Sequence, residues 1–351
     1  MHKLVEVGGV QIGDGAKVFT VVELGVCHEQ KVELAEHFIE VAARSGAQAV
    51  KVEAFQADEL VVDRSIEHEY GTVTGRKKEN YYSLLKRLEL SYEEHARLKR
   101  KADQEGILFF STVHNKPSVD FMYDLGVCAF KIASPDVINY PLLRYLAKTG
   151  RPIFMDTGGA FIGEIERAVT LLANAGAKDL IIMHNPAGYP APPEKTDLRM
   201  IPMMKTLFNI PVGLSCHTPG FDMVVAAVAL GANVVEKPIA RSRYLESPEH
   251  IFSFLDTEAA EFVTKIRTVE TSLGQVRRTT VEEKSLPRFI GRRGLYAAAD
   301  LAAGEVLSEK NLLPAKPWQG ISIEFIDEVV GKRLKKALKK HTPIHWGDLE
   351  A

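Results

Sequence analysis

The stretch Asn233–Ile239, NVVEKPI, is a short apolar run that ends in a carboxylate, an ammonium group and a proline. Similar runs of about four to eight apolar or β-branched residues recur along the chain, and each stops at polar side chains. The predicted strands are Val18–Val26, Gln48–Phe55, Ile107–Val113, Ala129–Ser134, Pro152–Thr157, Leu180–Asn185, Pro211–His217 and Asn233–Ile239. Segments with helical spacing separate most of them, among them Lys31–Ser45, Ser91–Glu105, Ile162–Ala175, Met223–Leu230 and Thr257–Leu273.

This alternation indicates parallel strands that are covered by helices. Eight such units within about 250 residues predict an α/β fold of the closed (β/α)8 TIM-barrel type. An open doubly wound sheet is the alternative, but no Gly-x-Gly-x-x-Gly turn follows a strand.

The domain organisation follows from where the pattern changes. Residues 1–275 form the predicted barrel, opened by a hairpin over "VGGVQIGDG" that caps its floor. Residues 276–288 are polar and aperiodic, which is typical of a linker. Residues 289–351 contain short segments broken by Gly and Pro, and they predict a small second domain that supplies a lid, a dimer contact or a substrate contact.

Composition favours an ordinary cytoplasmic protein. The 351 residues carry a formal net charge of −2, and no signal peptide or long apolar segment is present. Three cysteines are too few for a disulfide framework. The basic run Lys332–Lys340, KRLKKALKK, is predicted to be an amphipathic helix with exposed charges, so neither a nucleic acid nor a membrane is expected as a partner.

Polar side chains stand at the end of every predicted strand, which is where the active site of a TIM barrel lies. We expect Lys51, Lys131 and Lys237 to converge there and to hold a small, multiply anionic substrate such as a phosphorylated carboxylic acid. The hydroxyl groups at the strand ends would add donors to phosphate oxygens, and three carboxylates are candidates for proton transfer. The hydroxyl groups are those of Thr112, Ser134 and Ser215, and the carboxylates are those of Glu23, Glu53 and Asp136. His184 and His217 could share a metal ion, with Cys216, Cys27 or His28 nearby, but their spacing leaves this open.

At these positions the chain resembles the sialic acid (N-acetylneuraminate) synthase family, as a divergent member similar to spore-coat polysaccharide synthases. The barrel segments that carry the resemblance are VVELG, SGAQAVKVEAFQADELV, GILFFSTVH, AFKIASPDVINYPLL, MHNPAGYPAPPE and VGLSCHT. The tail RRGLYAAADLAAGEVLSEKNL (residues 292–312) is similar to the family's C-terminal antifreeze-protein-like (SAF) domain. The resemblance covers nearly the whole chain.

The resemblance implies an enzyme that forms a C–C bond between phosphoenolpyruvate and an N-acylhexosamine-type aldehyde and releases phosphate. It implies that phosphoenolpyruvate is held by Lys51, Thr112, Lys131, Ser134 and Ser215. It further implies that Glu23 lies against the reacting carbons, that the sugar is contacted by Tyr189, Glu249 and Lys316, and that His217 is a metal ligand. A divalent metal, Mn or Mg, and a homodimer whose small domain reaches into the partner's barrel are implied as well.

The sequence departs from the family pattern at the site itself. Lys237 is taken to stand in place of the second metal-binding histidine, in the family's Glu-Lys/Arg-His-Phe-Thr segment, and a protonated lysine cannot bind a metal. Asp136 replaces a glutamate, and Asp156 replaces a serine where a carboxylate would repel phosphate. We therefore expect catalysis by Glu23, Asp136 and Lys237, with the Lys237 ammonium in the role of the metal. Two alternatives remain: a Schiff-base lyase or aldolase that uses Lys237 or Lys131, and a non-catalytic sugar-binding paralogue.

Overall fold

Eight parallel strands close on themselves in the larger of two units, which divide the chain between Gly274 and Gln275. The structure, a computed structural model, describes residues 4–274 and 286–350. In chain order the strands are β1 (Val5–Val7), β2 (Val10–Ile12), β3 (Phe19–Glu23), β4 (Ala49–Ala54), β5 (Glu67–Thr72), β6 (Gly75–Asn80), β7 (Leu108–Val113), β8 (Phe130–Ile132), β9 (Ile153–Asp156), β10 (Leu180–His184), β11 (Val212–Ser215), β12 (Val234–Ala240), β13 (Phe254–Leu255), β14 (Gly294–Ala297) and β15 (Leu312–Ala315).

Helices alternate with the strands of the larger unit, and short helices also occur in the second unit. They are α1 (Val32–Ser45), α2 (Ala57–Leu60), α3 (Tyr81–Leu88), α4 (Tyr92–Glu105), α5 (Lys116–Asp124), α6 (Tyr140–Ala147), α7 (Ile162–Asn174), α8 (Met200–Phe208), α9 (Asp222–Ala229), α10 (Ala259–Leu273), α11 (Leu286–Gly291) and α12 (Ile326–Val329). No helix within the described ranges combines the length and apolar character that crossing a membrane requires.

The strand order confirms the predicted (β/α)8 barrel. Strands β3, β4 and β7 to β12 pair in sequence, and β12 pairs back to β3 with Lys237 opposite Val22. That last pairing closes the sheet and rules out the open, doubly wound alternative. A short strand, β13, continues the sheet beside the end of β12.

Local sequence signals set where helix α4 begins and ends. Helix α4 starts at a capping box, in which the Ser91 and Glu94 side chains each accept from the other's backbone N–H. It ends at Gly106, whose φ of 69° is a left-handed conformation that glycine adopts without strain. The chain then turns directly into β7, so the cap fixes where that strand enters the barrel.

The predicted N-terminal hairpin is present as β1 and β2. Its buried side chains Val5, Val7 and Ile12 pack into the same cluster as Phe19 and Phe154 inside the barrel. The floor of the barrel is therefore closed by apolar contacts, and polar groups can collect only at the opposite end.

A second hairpin, formed by β5 and β6 between the second and third barrel strands, is absent from the predictions. Its strands, EHEYGT and GRKKEN, are almost wholly polar and show no apolar alternation. Exposed cross-strand ion pairs accompany their backbone pairing, such as those of Arg76 with Glu69 and Lys78 with Glu67. Tyr70 anchors the hairpin in an apolar cluster with Phe55 and Leu84.

The second unit has its own apolar core around Leu295, Leu307 and Ile344. The predicted linker 276–288 lies outside the described residues up to Leu286, where α11 begins. The prediction of a helix over Lys332–Lys340 is wrong. Leu334 and Leu338 are buried in that core, and isolated β-bridges join them to Leu349 and Leu301. The prediction failed because a four-residue spacing of leucines also fits an extended segment whose lysines face outward.

Candidate active site

Strand alternation sorts the polar strand ends into two sets. Val21 and Val234 belong to the apolar cluster inside the barrel, whereas their chain neighbours Val22 and Val235 pack against the helices. Because side chains alternate along a strand, the residue two positions after each inner side chain also faces the lumen. One polar residue from each strand results, and we call this set the lumen ring: Glu23, Lys51, Thr112, Lys131, Asp156, Asn185, Ser215 and Glu236.

Glu236 is the hub of the lumen ring. Its Oε1 accepts from Lys51 Nζ at 3.3 Å, from Ser215 Oγ at 3.2 Å and from Lys131 Nζ. Burial alone would raise the pKa of this carboxyl, but Lys131 and Lys51 lower it to about 2. Its second oxygen, Oε2, is buried and has no hydrogen-bond partner among the described residues.

Lys51 joins three carboxylates. Its Nζ bonds Glu23 Oε1 and Glu236, and Glu53 Oε1 lies 3.6 Å away. Burial opposes the charge of Lys51, yet the neighbouring Glu23 and Glu236 raise its pKa well above the ordinary value. Burial also raises the pKa of Glu23. The bond between Glu23 and Lys51 shows that these two predicted site residues lie in contact.

Lys131 lies on the other side of the hub. Its Nζ is 2.9 Å from Asp156 Oδ2 and 3.4 Å from Ser215 Oγ, besides its bond to Glu236. Asn185 Nδ2 donates to the same oxygen of Asp156 at 3.0 Å. Thr112 Oγ1 is buried without a described partner. The lumen ring thus brings together two ammonium groups, three carboxylates and three neutral donors.

Lys237 does not join the lumen ring, and the prediction that three lysines converge is wrong. Its side chain faces away from the lumen, where Nζ donates to the backbone oxygens of Thr218 at 2.6 Å and Phe252 at 2.9 Å. Cys216 Sγ lies 3.6 Å from the same atom. Period-two alternation accounts for this, because Glu236 takes the inward position and its neighbour must point outward.

The same register corrects the motif comparison. Matched residue by residue, the Glu-Lys/Arg-His segment falls on Glu236, Lys237 and Pro238. Pro238, which has the lumen-facing parity, therefore stands in the place of the histidine. Neither Lys237 nor Pro238 offers a metal ligand at that position.

His217 lies at the mouth among aromatic rings. Its ring centroid is 4.7 Å from that of Tyr189 and 5.1 Å from that of Phe252. Burial and the nearby Lys131 lower the pKa of His217 to about 3, so the ring is neutral near pH 7. Its Nδ1 is buried and makes no hydrogen bond within the described part of the chain. A ligand with a donor could bind there.

The residues around His217 do not fit a metal site. His184 points away from the lumen and its Nε2 lies 2.6 Å from the oxygen of Thr196, so it cannot share a cation with His217. Across residues 4–274 and 286–350, no group of three or more His, Cys, Asp or Glu side chains is arranged to hold a metal ion.

Glu249 closes the mouth beside the first barrel strand. Its Oε2 accepts from the backbone N–H of Val26 at 2.9 Å, and the carboxylate fills the space where a side chain at Gly25 would stand. Burial and repulsion from Glu53 raise the pKa of Glu249 to about 7. Glu249 can therefore carry a proton near neutral pH.

Three further predicted residues are not members of the lumen ring. Asp136 sits in the 3-10 turn Ser134–Ile138, where His114 Nδ1 is 3.3 Å away and Asn139 donates at 2.9 Å. Ser134 Oγ accepts from the backbone N–H of Gly158 at 2.9 Å. Lys316 follows β15 in the second unit.

The hairpin β5–β6 is attached to the loops of the mouth. Gly71 N–H donates to the Tyr189 carbonyl at 3.0 Å, and the Tyr70 hydroxyl donates to the Glu246 carbonyl at 3.2 Å. Lys77 Nζ also pairs with Glu246 Oε2 at 2.8 Å. The hairpin therefore supports both Tyr189 and the loop that carries Glu249.

Sequence reasoning left the orientation of Glu236 open and gave no role to Asn185, although both stand at strand ends. Asn185 follows β10, and its amide is used only through Asp156. A signal for both is their position in the strand: Asn185 and Glu236 each follow an inward-facing residue, Met183 and Val234, by two positions.

Comparison with known proteins gives consistent similarities. The NeuB family matches residues 38–278, and the SAF domain matches residues 292–350. An N,N'-diacetyllegionaminic acid synthase of Campylobacter jejuni is 34% identical over 326 residues, which cover 92% of this chain and 98% of that protein.

Two solved structures are also similar to this chain. The N-acetylneuraminic acid synthetase of Leptospira borgpetersenii aligns with a TM-score of 0.73 at 28% identity, over 81% of this chain and 95% of that one. The spore coat polysaccharide biosynthesis protein SpsE of Bacillus subtilis aligns with a TM-score of 0.68 at 30% identity, over 99% of both chains.

Proposed function

Because the chain belongs to the NeuB family and ends in a SAF domain, we propose that it condenses phosphoenolpyruvate with an N-acylhexosamine-type aldehyde. The observation that carries the proposal is the lumen ring. In it Lys51 and Lys131, on β4 and β8 with β7 between them, both bond Glu236. Two buried ammonium groups beside Thr112 and Ser215 suit a substrate with a carboxylate and a phosphate.

The proposed reaction balances without a redox step. C3 of phosphoenolpyruvate forms a bond to the aldehyde carbon, a water oxygen adds at C2, and inorganic phosphate leaves from C2. Lys51 and Lys131 bind the carboxylate and phosphate, and Ser134 and Ser215 donate to phosphate oxygens. The products are a nonulosonic acid and phosphate.

Glu23 is the proposed acid that protonates the oxygen of the aldehyde. Burial raises the pKa of its carboxyl, so it can hold a proton in the lumen and release it during the reaction. Its contact with Lys51 keeps the carboxyl close to the bound enolpyruvate. Since Lys237 faces outward, the aldehyde is activated by Glu23 and not by Lys237.

On the acceptor side we propose that Tyr189 and Glu249 contact the sugar. Tyr189 is supported from behind by the hairpin β5–β6, and Glu249 is fixed by Val26. Lys316 and the homodimer remain proposals from the family resemblance, and light scattering of the full chain tests the dimer.

A Schiff base at a barrel lysine is the weaker alternative, because an amine must be unprotonated to attack a carbonyl. Burial opposes the charge of Lys131, but its carboxylate partners raise the pKa of that lysine. Burial lowers the pKa of Lys237, yet its amino group lies outside the lumen, bonded to the carbonyl oxygens of Thr218 and Phe252. Borohydride treatment with candidate keto acids would trap a covalent adduct if this alternative were correct.

The deciding experiment measures phosphate release from phosphoenolpyruvate across a panel of 2-acylamino hexoses, with and without Mn²⁺. We expect release with at least one sugar, and we expect Lys51→Met to abolish it while the protein stays folded. If no sugar supports release and phosphoenolpyruvate causes no thermal shift, the chain is a non-catalytic paralogue and the proposal is wrong.

A further inference from the structure

The ammonium group of Lys131 is fully occupied by the protein itself. An ammonium carries three N–H donors, and three oxygens surround this one: Asp156 Oδ2 at 2.9 Å, Ser215 Oγ at 3.4 Å and Glu236 Oε1. A substrate anion can therefore reach Lys131 only when one of these oxygens leaves.

Of the two carboxylates that bond Lys131, Asp156 is held by fewer other groups. Glu236 is also bonded by Lys51 and by Ser215, so it is fixed from three sides. Asp156 has one additional donor, Asn185, which bonds the oxygen already used by Lys131. Its other oxygen, Oδ1, is buried and makes no hydrogen bond to any described residue.

Charge balance points to the same residue. With Glu23 holding the proton that it donates in the proposed reaction, the carboxylates of Asp156 and Glu236 already balance Lys51 and Lys131 before a substrate enters. A multiply anionic donor would make the lumen negative unless one of these two carboxylates moved away or became neutral.

We propose that Asp156 is an internal competitor for the anion site of Lys131: binding of the anionic donor displaces its carboxylate, which then takes up one proton. The inference rests on the proposed function in that the donor is phosphoenolpyruvate. It makes Asp156 a residue that sets donor affinity and couples it to pH, instead of a direct ligand of the phosphate.

The proton uptake follows from the surroundings of Asp156. Lys131 faces it from β8, Lys51 from β4, Glu236 from β12 and Asn185 from the end of β10. Once the substrate anion has taken Lys131, the cation left near Asp156 is Lys51, which is already paired with Glu23 and Glu236, and the substrate adds further negative charge. A buried carboxylate without a cation of its own costs several kcal/mol, so the neutral acid is favoured.

The test is isothermal titration of the full chain with phosphoenolpyruvate and no acceptor sugar. It is run at about pH 8, because burial raises the pKa of Asp156 above that of an ordinary aspartate. Repeating it in two buffers of different ionisation enthalpy counts the protons taken up. We expect about one proton per phosphoenolpyruvate for the unmodified chain. For Asp156→Asn we expect no uptake and about tenfold tighter binding, since the competing charge is gone.

The chain offers a matched control at the opposite end of the barrel. There Asp14 pairs with Lys205 and accepts from Asn233 at 3.1 Å, the same trio of residue types as Asp156, Lys131 and Asn185. Asp14→Asn should leave the proton count and the affinity unchanged. If Asp156→Asn does not fold, judged by its thermal transition, Asp156→Ser replaces it.

Three results would overturn the proposal: weaker binding by the Asp156 variant, proton uptake that persists in it, or no binding of phosphoenolpyruvate by either protein. Because no acceptor is present, the binding result can be read even if phosphate release fails with every sugar. In that case the proposed function is wrong while the competition at Lys131 stands, and titration with inorganic phosphate gives the same comparison.

Discussion

Replacing Glu236 by glutamine removes the charge that holds two buried lysines together. Glu236 is fully buried, and one of its oxygens accepts from Lys51, Lys131 and Ser215. Glutamine keeps the shape but leaves two ammonium groups with less compensation. We expect Glu236→Gln to destabilise the larger unit without changing its fold.

Two estimates of the loss in free energy of unfolding agree. A carboxyl pKa of about 2, against an ordinary value of 4.5, corresponds to about 3 kcal/mol at neutral pH. Removing one partner of a buried ion pair costs roughly 3–5 kcal/mol in general. A loss of about 3 kcal/mol should lower the melting temperature of a barrel this size by roughly 6–12 °C.

The pH dependence has a definite sign. Since the folded protein lowers the pKa of Glu236, its contribution is present above about pH 4.5 and is lost as the pH falls towards 2. The difference in free energy of unfolding between the original chain and Glu236→Gln should therefore be constant between about pH 5 and 7 and shrink below that range.

Urea unfolding followed by circular dichroism measures this difference. Tryptophan fluorescence would not report on the barrel, because Trp318 and Trp346 both lie in the second unit. Glu261→Gln is the control, since its pair with Lys265 at 3.2 Å is exposed and should change stability by less than about 0.5 kcal/mol. Equal stability of Glu236→Gln and the original chain would refute the role of Glu236 as the hub.

Three further outcomes are expected. Lys237→Met should keep the affinity for phosphoenolpyruvate within about threefold, because its ammonium bonds backbone carbonyls outside the lumen. Lys51→Met should abolish binding in the same titration, and an equal loss of affinity in both variants would show that Lys237 belongs to the site. Gly71→Ala should raise the acceptor KM about tenfold and leave the phosphoenolpyruvate KM unchanged, since its methyl group would lie 2.8 Å from Pro190 Cδ and push the Tyr189 loop; a rise in both would argue against a role limited to the acceptor. Chelation with EDTA should leave phosphate release within about twofold, because the residues near His217 do not fit a metal site; a rate that returns only with Mn²⁺ would contradict this.

The sequence was sufficient for the family and the fold. Apolar runs separated by helical segments predicted the barrel, and the motifs at the strand ends predicted a match to the sialic acid synthases and the SAF domain, both of which are confirmed. Those signals are local, because each run or motif is read within a few residues and needs no knowledge of its neighbours in space.

Two errors came from segments whose pattern fits more than one structure. The β5–β6 hairpin has polar strands with one buried anchor, Tyr70, and exposed ion pairs along its length, so its sequence resembles a loop. The spacing of Leu334 and Leu338 fits a helix as well as the extended segment that the core of the second unit selects. In the second case the deciding contacts come from residues distant in the sequence, such as Leu301 against Leu338.

The sequence determined which residue types stand at the strand ends, but only the closed barrel decided which of their side chains point into the lumen. In NVVEKPI both Val234 and Val235 are apolar, because a parallel strand inside a TIM barrel is buried on both faces. The sequence showed that Glu236 and Lys237 face opposite sides of the strand, but it did not show which of the two faces the lumen. Closure of β12 against β3 decided this, turned Glu236 into the lumen as the hub of two lysines, and left Lys237 outside it.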